Sequence, residues 1–146
     1  MRPEDLNPLL DPLIVAKDFF VYSANFTAFA FGTNQQKNIP ISDDSDFVII
    51  KTCFWVDDGI GSKYTPTTRQ IPNILILLTD TGSGRQLMDT AQPVYNLFGT
   101  AENPFILPVP KLLKRRTVLQ VSATNQEIAA ATYRMTLSFI GVKIFK

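Results

Sequence analysis

The sequence of 146 residues contains no histidine and only one cysteine, Cys53. Without histidine, the chain cannot build a Ser-His-Asp triad, a Cys-His pair or a histidine-ligated metal site. With one cysteine, it can form neither an intrachain disulfide nor a CxxC zinc or redox site. Cys53 lies in an apolar run, which predicts a small buried hydrophobic residue. We therefore predict a protein that is not an enzyme and that holds no cofactor and no metal ion.

Long apolar segments and a large net charge are also absent. The longest purely aliphatic run, residues 74–78, is far shorter than the ~20 residues of a membrane-spanning helix. The acidic, proline-interrupted N-terminus does not resemble a signal peptide. We expect no membrane partner and no small-molecule substrate. We also expect no direct nucleic-acid partner, because the formal net charge of +1 argues against a dedicated nucleic-acid binder.

The near-neutral charge is a cancellation between two parts of the chain. Residues 1–110 hold 7 Lys/Arg and 12 Asp/Glu, a net of −5. Residues 111–146 hold 7 Lys/Arg and a single acid, Glu127, a net of +6, and the sum is +1. Such an asymmetry can place an acidic and a basic patch on one molecule.

What the sequence does contain is a series of short β-type segments. Residues 19–31 alternate along much of their length. Residues 47–56 predict a central strand buried on both faces. Residues 105–109 predict an edge strand, because the neighbouring prolines cannot donate ladder hydrogen bonds. The apolar face predicted for the first of these strands comprises Phe20, Tyr22, Ala24, Phe26, Ala28 and Ala30.

About eight such strands follow one another, and no helix of convincing length appears. This pattern is typical of an all-β fold, an antiparallel β-sandwich. The strand number favours a jelly roll, formed as a single domain over residues 19–146.

The first 18 residues differ from the rest, because three prolines alternate there with leucines. Each proline fixes its own φ and pushes the preceding residue towards extended geometry. We predict an extended N-terminal arm over residues 1–18 that lays apolar side chains on the chain's own body or on a neighbouring subunit. The candidate partner-binding residues of this arm are Leu6, Leu9, Leu10 and Leu13.

The string Asp80-Thr81-Gly82-Ser83 resembles the active-site motif of aspartic proteases. It follows an apolar strand, and two copies of the chain would supply two carboxylates that share a proton. However, the chain has no glycine-rich flap after the motif, and Asp-Thr-Gly-Ser-Gly is well suited to a tight turn. We favour the turn and keep an aspartic-protease-like dimer using Asp80 as an alternative.

Two charged clusters complete the candidate sites. Asp43, Asp44 and Asp46 lie at one end of a predicted strand and Asp57 and Asp58 at the other. Carboxylates suit Ca²⁺, but the EF-hand spacing is absent, so solvated loops are favoured. A basic run covers residues 111–116. The cations that we expect to contact acidic partners are Arg85, Lys114, Arg115 and Arg116.

Four segments resemble, in this order, a group of small virion-associated proteins of tailed double-stranded DNA bacteriophages. They are Asp44-Ser45-Asp46-Phe47, residues 80–87, residues 103–110 and residues 137–145. The resemblance covers roughly residues 19–146. It implies a capsid decoration or cement protein that stabilises the head by bridging major capsid subunits. The implied partners are the major capsid protein and copies of the chain itself, with a trimer as one arrangement. The implied location is the capsid surface, after synthesis in the host cytoplasm.

Two other roles stay open. Small β-sandwich proteins of such phages also occur in the tail or neck, including receptor-binding components. A carbohydrate-binding jelly roll is another hypothesis, and it needs exposed aromatic side chains. Trp55 falls in the strand predicted to be buried, which leaves Tyr64 and Tyr95 as candidates in loops.

Overall fold

The computed structural model describes residues 6–57, 73–127 and 132–146. Over these residues the chain is almost entirely β, which confirms the predicted fold class. One helical turn, α1 (Val94–Leu97), and a 3-10 turn at Pro8–Leu10 are the exceptions, and no helix in the described part is long and apolar enough to cross a membrane. The strands are β1 (Ala16–Ala30), β2 (Asn34–Pro40), β3 (Asp46–Asp57), β4 (Ile74–Asp80), β5 (Arg85–Gln86), β6 (Gln92–Pro93), β7 (Phe105–Leu113), β8 (Val118–Asn125) and β9 (Thr132–Phe145).

The strands form two antiparallel sheets with nested pairing. One sheet has the order β1-β9-β3-β7, and the other has the order β2-β8-β4-β5, with β6 added to β4. Thus β1 pairs with β9, β2 with β8, β3 with β7 and β4 with β5. Successive pairs alternate between the two sheets, so the chain is one long antiparallel ribbon wrapped into a sandwich. This is the topology of a jelly roll, as predicted, with the two-residue β6 as an additional strand.

The core lies between the two sheets. Side chains of β4 and β8 alternate strictly between buried and half-buried positions, as expected for strands with one inward face. Aromatic side chains fill the centre, and the rings of Phe98 and Phe139 meet edge to face with centroids 5.6 Å apart. The fully buried phenylalanines are Phe26, Phe29, Phe47, Phe98 and Phe139.

Strand β1 departs from the predicted alternation near its end. The inner face runs through Ala24 and Phe26, but the register with β9 then shifts, and Ala28 has a φ of 48°. This bulge turns Phe29 into the core, leaves Ala28 exposed and Ala30 half-buried. The prediction that Ala28 faces inward is therefore wrong, because an inserted residue reverses the pattern beyond it.

Strand β3 is central, as predicted, but it is buried on both faces only in its first half. Phe47, Val48 and Ile49 are all inaccessible to solvent. Further along, Cys53 is half-buried and Trp55 is 50% exposed. The prediction of burial is wrong for these two residues, because nothing in the described part of the chain covers the outer face at that end.

Strand β7 is an edge strand, as the prolines predict. Ile49 lies opposite Lys111 and Lys51 lies opposite Ile106, so residues 107–110 leave the ladder. This stretch contains Pro108 and Pro110, which have no N–H to donate to β3.

Gly141 marks a close approach between β9 and β3. A Cβ at this position would overlap the carbonyl oxygen of Val48 and contact the Phe47 ring. We expect Gly141→Ala to lower the free energy of unfolding by at least about 3 kcal/mol, because rigid backbone atoms cannot move aside. The measurement is urea unfolding followed by circular dichroism.

The matched control for that variant is Gly32→Ala. Gly32 has a φ of 70° but has no neighbouring atom near its missing Cβ. The control therefore bears only the backbone cost of the left-handed region, about 1–2 kcal/mol. Equal losses in the two variants would contradict the close-approach interpretation.

Candidate partner-binding surface

The N-terminal arm precedes β1 but is not straight. The side chain of Asn7 accepts a hydrogen bond from the Leu9 amide at 3.0 Å and begins the 3-10 turn. Asp11 then accepts from the Leu13 amide at 2.9 Å and closes a second turn. The strand begins at Ala16, so the described arm covers residues 6–15 and not residues up to 18. The side chains of Asn7 and Asp11 turn the backbone between the prolines. The arm therefore bends where the prolines alone predict an extended chain.

The arm is attached to the chain's own body. The Val15 amide donates to the carbonyl oxygen of Phe145 at 2.8 Å, and Lys146 Nζ lies 2.7 Å from Asp11 Oδ2. The 3-10 turn packs against β7. Val48 stands in the sequence between Phe47 and Ile49, whose side chains belong to the core, so its own side chain points to the outer face of the sheet. It is nevertheless fully buried. The arm runs from the start of β1 to β7, which are the two edges of this sheet, and we attribute the burial of Val48 to it.

The other side of the arm carries exposed apolar side chains. Leu13 is 70% and Val15 79% exposed, and Leu6 and Leu10 are more than half exposed, whereas Leu9 is half-buried. Three of the four leucines predicted to bind a partner are therefore available to one.

The exposed apolar surface continues from the arm onto the sheet. Phe19 is 75% exposed, and strand register places Val21, Ile140, Lys51 and Ile106 in one row across β1, β9, β3 and β7. Isolated exposed apolar side chains are common, but a contiguous set marks an interaction surface. We call this set the outer apolar surface, and its members are Leu6, Leu10, Leu13, Val15, Phe19, Val21, Ile106 and Val109.

Sequence reasoning missed the part of this surface that lies on the sheet. Residues 19–21 are apolar at three consecutive positions, Phe19, Phe20 and Val21, where a half-buried strand would alternate. That run was the available signal, because it indicates that both faces of the strand carry apolar side chains.

The basic candidates gather at one end of the sandwich. The β4–β5 turn contacts the β7–β8 turn, because Thr81 donates from both its amide and its hydroxyl to the Val118 carbonyl oxygen. Arg85 follows the first turn, and the three cations at 114–116 lie in the second. All four side chains are exposed. The fold thus brings together residues that are about thirty positions apart in the sequence.

One of these cations is already paired within the chain. The Arg115 amide donates to Asp46 Oδ1 at 2.9 Å, and its Nε lies 3.5 Å from the same oxygen. Within the described residues, Arg85, Lys114 and Arg116 have no acidic partner. These three cations are therefore the ones available to an acidic surface.

The Asp80 motif forms a turn, as favoured by the sequence. The Asp80 side chain is buried, and it accepts hydrogen bonds from the Gly82 amide and the Ser83 hydroxyl, each at 3.0 Å. Lys111 Nζ lies 3.8 Å from Asp80 Oδ2. Both carboxylate oxygens are occupied inside the turn, whereas a shared-proton dyad needs the carboxylate to face a second copy.

We expect Asp80→Ala to lower the free energy of unfolding by about 1–3 kcal/mol, because it removes the acceptor of two donors and the partner of Lys111. Ser83→Ala removes only one donor and should cost about 0.5–1.5 kcal/mol. Urea unfolding of both variants measures the difference. Loss of a peptide-cleaving activity in Asp80→Asn, with unchanged stability, would instead support the protease alternative.

The predicted acidic clusters have different environments. Asp43 and Asp44 are exposed and Asp46 is buried beside Arg115, while the Asp57 side chain and Asp58 lie outside the described residues. In the described part of the chain, no group of three or more His, Cys, Asp or Glu side chains is arranged to hold a metal ion.

Asp44 belongs to a charged contact with an aromatic cluster. Lys143 Nζ lies 3.8 Å from Asp44 Oδ1 and 4.0 Å from the centroid of the Phe20 ring. Hydrogen bonds from the Ser42 and Ser45 side chains, helped by the Lys143 charge, hold the pKa of Asp44 below its usual value. This carboxylate therefore favours the folded state when it is ionised.

A depressed folded-state pKa adds stability at neutral pH, and this contribution is lost as the pH falls through that pKa. We expect Asp44→Asn to be slightly less stable than the wild type at neutral pH. The difference should disappear in strong acid, where the wild-type carboxyl is protonated. Urea unfolding across an acid pH series tests this, and a difference that grows as the pH falls would contradict it.

No family model matches the chain, and no curated protein matches it. Among solved structures, the chain is similar to one described as the cyanophage Pam1 capsid asymmetric unit. The two share 15% identity over 92% of this chain and 88% of that chain, with a TM-score of 0.48.

Proposed function

We propose that this chain is a non-enzymatic structural protein of the virion of a tailed bacteriophage, and specifically a capsid decoration or cement protein. The observation that carries the proposal is the outer apolar surface. It extends from the arm across the outer face of one sheet, and a free monomer would leave all of it in water. The four segments that resemble small virion-associated phage proteins support the same role.

Cementing requires contact area spread over more than one shell subunit. A stable interface buries about 1,200–2,000 Å² in total, and occupied interfaces stabilise the assembled state by mass action. The arm lengthens the footprint beyond the sandwich itself. The jelly roll supplies a rigid body, because one buried core of phenylalanine and aliphatic side chains joins its two sheets.

The basic end supplies the polar part of the proposed interface. Arg85, Lys114 and Arg116 lie in or next to two turns that contact each other. Guanidinium groups bind carboxylates in a fixed, bidentate geometry. A shell surface with acidic side chains would complement them. Such charges set the orientation and rate of docking more than its affinity, so the outer apolar surface would supply most of the binding energy.

Copies of the chain itself are the second proposed partner. A cyclic assembly, including a trimer, would cover part of the outer apolar surface before or during docking. Light scattering of the purified protein gives its oligomeric state. The number of copies per virion distinguishes a shell protein, which matches the major capsid protein in abundance, from a tail or neck component present in a few copies.

We expect the double variant Leu10→Asp, Leu13→Asp to lose capsid binding by at least tenfold, about 1.4 kcal/mol. Both side chains are mostly exposed, so stability should change by no more than about 0.5 kcal/mol per site. Co-sedimentation of the full chain with capsids of the phage that encodes it measures binding, and thermal unfolding checks the fold.

The matched control for the arm is Phe31→Asp. Phe31 is also exposed but lies in the β1–β2 turn, at the opposite end of the sandwich from the basic turns. It should bind capsids as the wild type does. Unchanged binding of the double variant, or equal loss in the control, would count against the arm as a docking element.

A further inference from the structure

A cavity of about 240 Å³ opens between α1 and the start of β7. It lies at the end of the sandwich opposite the basic turns, because it adjoins Thr52 of β3 and Phe105 of β7. None of its lining residues belongs to the outer apolar surface. The lining residues are Tyr95, Phe98, Gly99, Thr100, Asn103, Pro104 and Phe105.

The cavity wall is held in place by the backbone. Gly99 accepts a hydrogen bond from the Phe54 amide at 2.8 Å and donates to the Thr52 carbonyl oxygen at 3.2 Å. Thr100 and Asn103 exchange backbone hydrogen bonds at 3.1 and 3.2 Å. A Cβ at position 99 would overlap the backbone of residues 103–105, so only glycine allows this close packing. A pre-formed wall lowers the entropic cost of binding a ligand.

Aromatic rings border the cavity. Tyr95 is half-exposed, and its ring is supported by Phe54, with centroids 6.4 Å apart and the planes nearly perpendicular. Phe105 is half-buried on the same cavity. These rings offer flat apolar surfaces to a ligand.

The polar groups on the lining are neutral. Asn103 contributes an exposed amide and Tyr95 a hydroxyl, and neither side chain makes a hydrogen bond to another residue in the described part of the chain. The Thr100 hydroxyl accepts a hydrogen bond from the backbone N–H of Asn103 at 3.2 Å, so its own hydrogen stays available to a ligand. Among the described residues that line the cavity there is no Lys, Arg, Asp or Glu. A charged ligand would find no counter-ion on these lining residues and would lose hydration without compensation from them.

We propose that this cavity binds a neutral pyranose sugar. A pyranose ring has an apolar face of C–H groups, which suits the Tyr95 and Phe105 rings, and a rim of hydroxyls, which suits the amide and hydroxyl groups. The cavity is smaller than a typical drug-sized site, which limits it to about one sugar ring. The site is independent of capsid binding, since it uses other residues at the other end of the sandwich.

The test is saturation-transfer NMR on the purified full chain with methyl glucoside, methyl galactoside and N-acetylglucosamine. Titration then gives the affinity of any sugar that binds. We expect at least one of these to bind saturably in the millimolar range, because a small neutral ligand makes few contacts. Tyr95→Ala should weaken that binding by about tenfold, because it removes the ring face.

Two further variants make the result specific to the cavity. Asn103→Ala should weaken binding without touching the aromatic wall, which covers the case in which Tyr95→Ala disturbs the fold. Phe31→Ala, which removes an exposed ring elsewhere, should bind as the wild type does. Absence of saturable binding by all three sugars would overturn the proposal, and so would equal affinity in the wild type and both cavity variants. Neither outcome bears on the capsid-binding test.

Discussion

Strand β9 holds together the sheet on which the outer apolar surface lies. It pairs with β1 on one side and with β3 on the other along nearly its whole length. At Gly141 the absence of a side chain lets β9 approach the Val48 carbonyl of β3 more closely than any larger residue would allow. Because the arm attaches at Phe145, the last residue of β9, the position of the arm also depends on this strand.

The two candidate surfaces arise from different features of the fold. The outer apolar surface combines the exposed side of the arm with apolar side chains that β1 and β7 leave exposed on the sheet. The basic end exists because the nested pairing places the β4–β5 and β7–β8 turns side by side. Two acidic side chains there are paired within the chain, Asp46 with Arg115 and Asp80 with Lys111. The side chains of Arg85, Lys114 and Arg116 are exposed.

Local patterns predicted most of the fold from the sequence. The proline-marked edge strand, the central strand and the Asp80 turn were all correct, because each depends on neighbouring residues alone. The failures were at Ala28, Cys53 and Trp55. A bulge reverses the facing of side chains beyond it, and the exposure of Trp55 depends on which other segments cover the outer face of the sheet. A short window of sequence determines neither the position of the bulge nor the exposure of Trp55. The sequence also does not predict that Arg85 and the cations of the β7–β8 turn lie at one end of the sandwich, since this follows from strand pairing.

The nested pairing also makes the two ends of the sandwich chemically unlike. The β2–β3, β4–β5 and β7–β8 connections all emerge at one end, which carries Arg85, Lys114 and Arg116 as well as the exposed Asp43 and Asp44. The β1–β2 turn and the loop before β7 emerge at the other, where Tyr95 and Phe105 border the cavity and Glu102 is exposed. The molecule is thus directional along its strand axis. A partner that engages one end fixes which chemistry points away from it, so a single docking event also determines what the assembly displays to its surroundings.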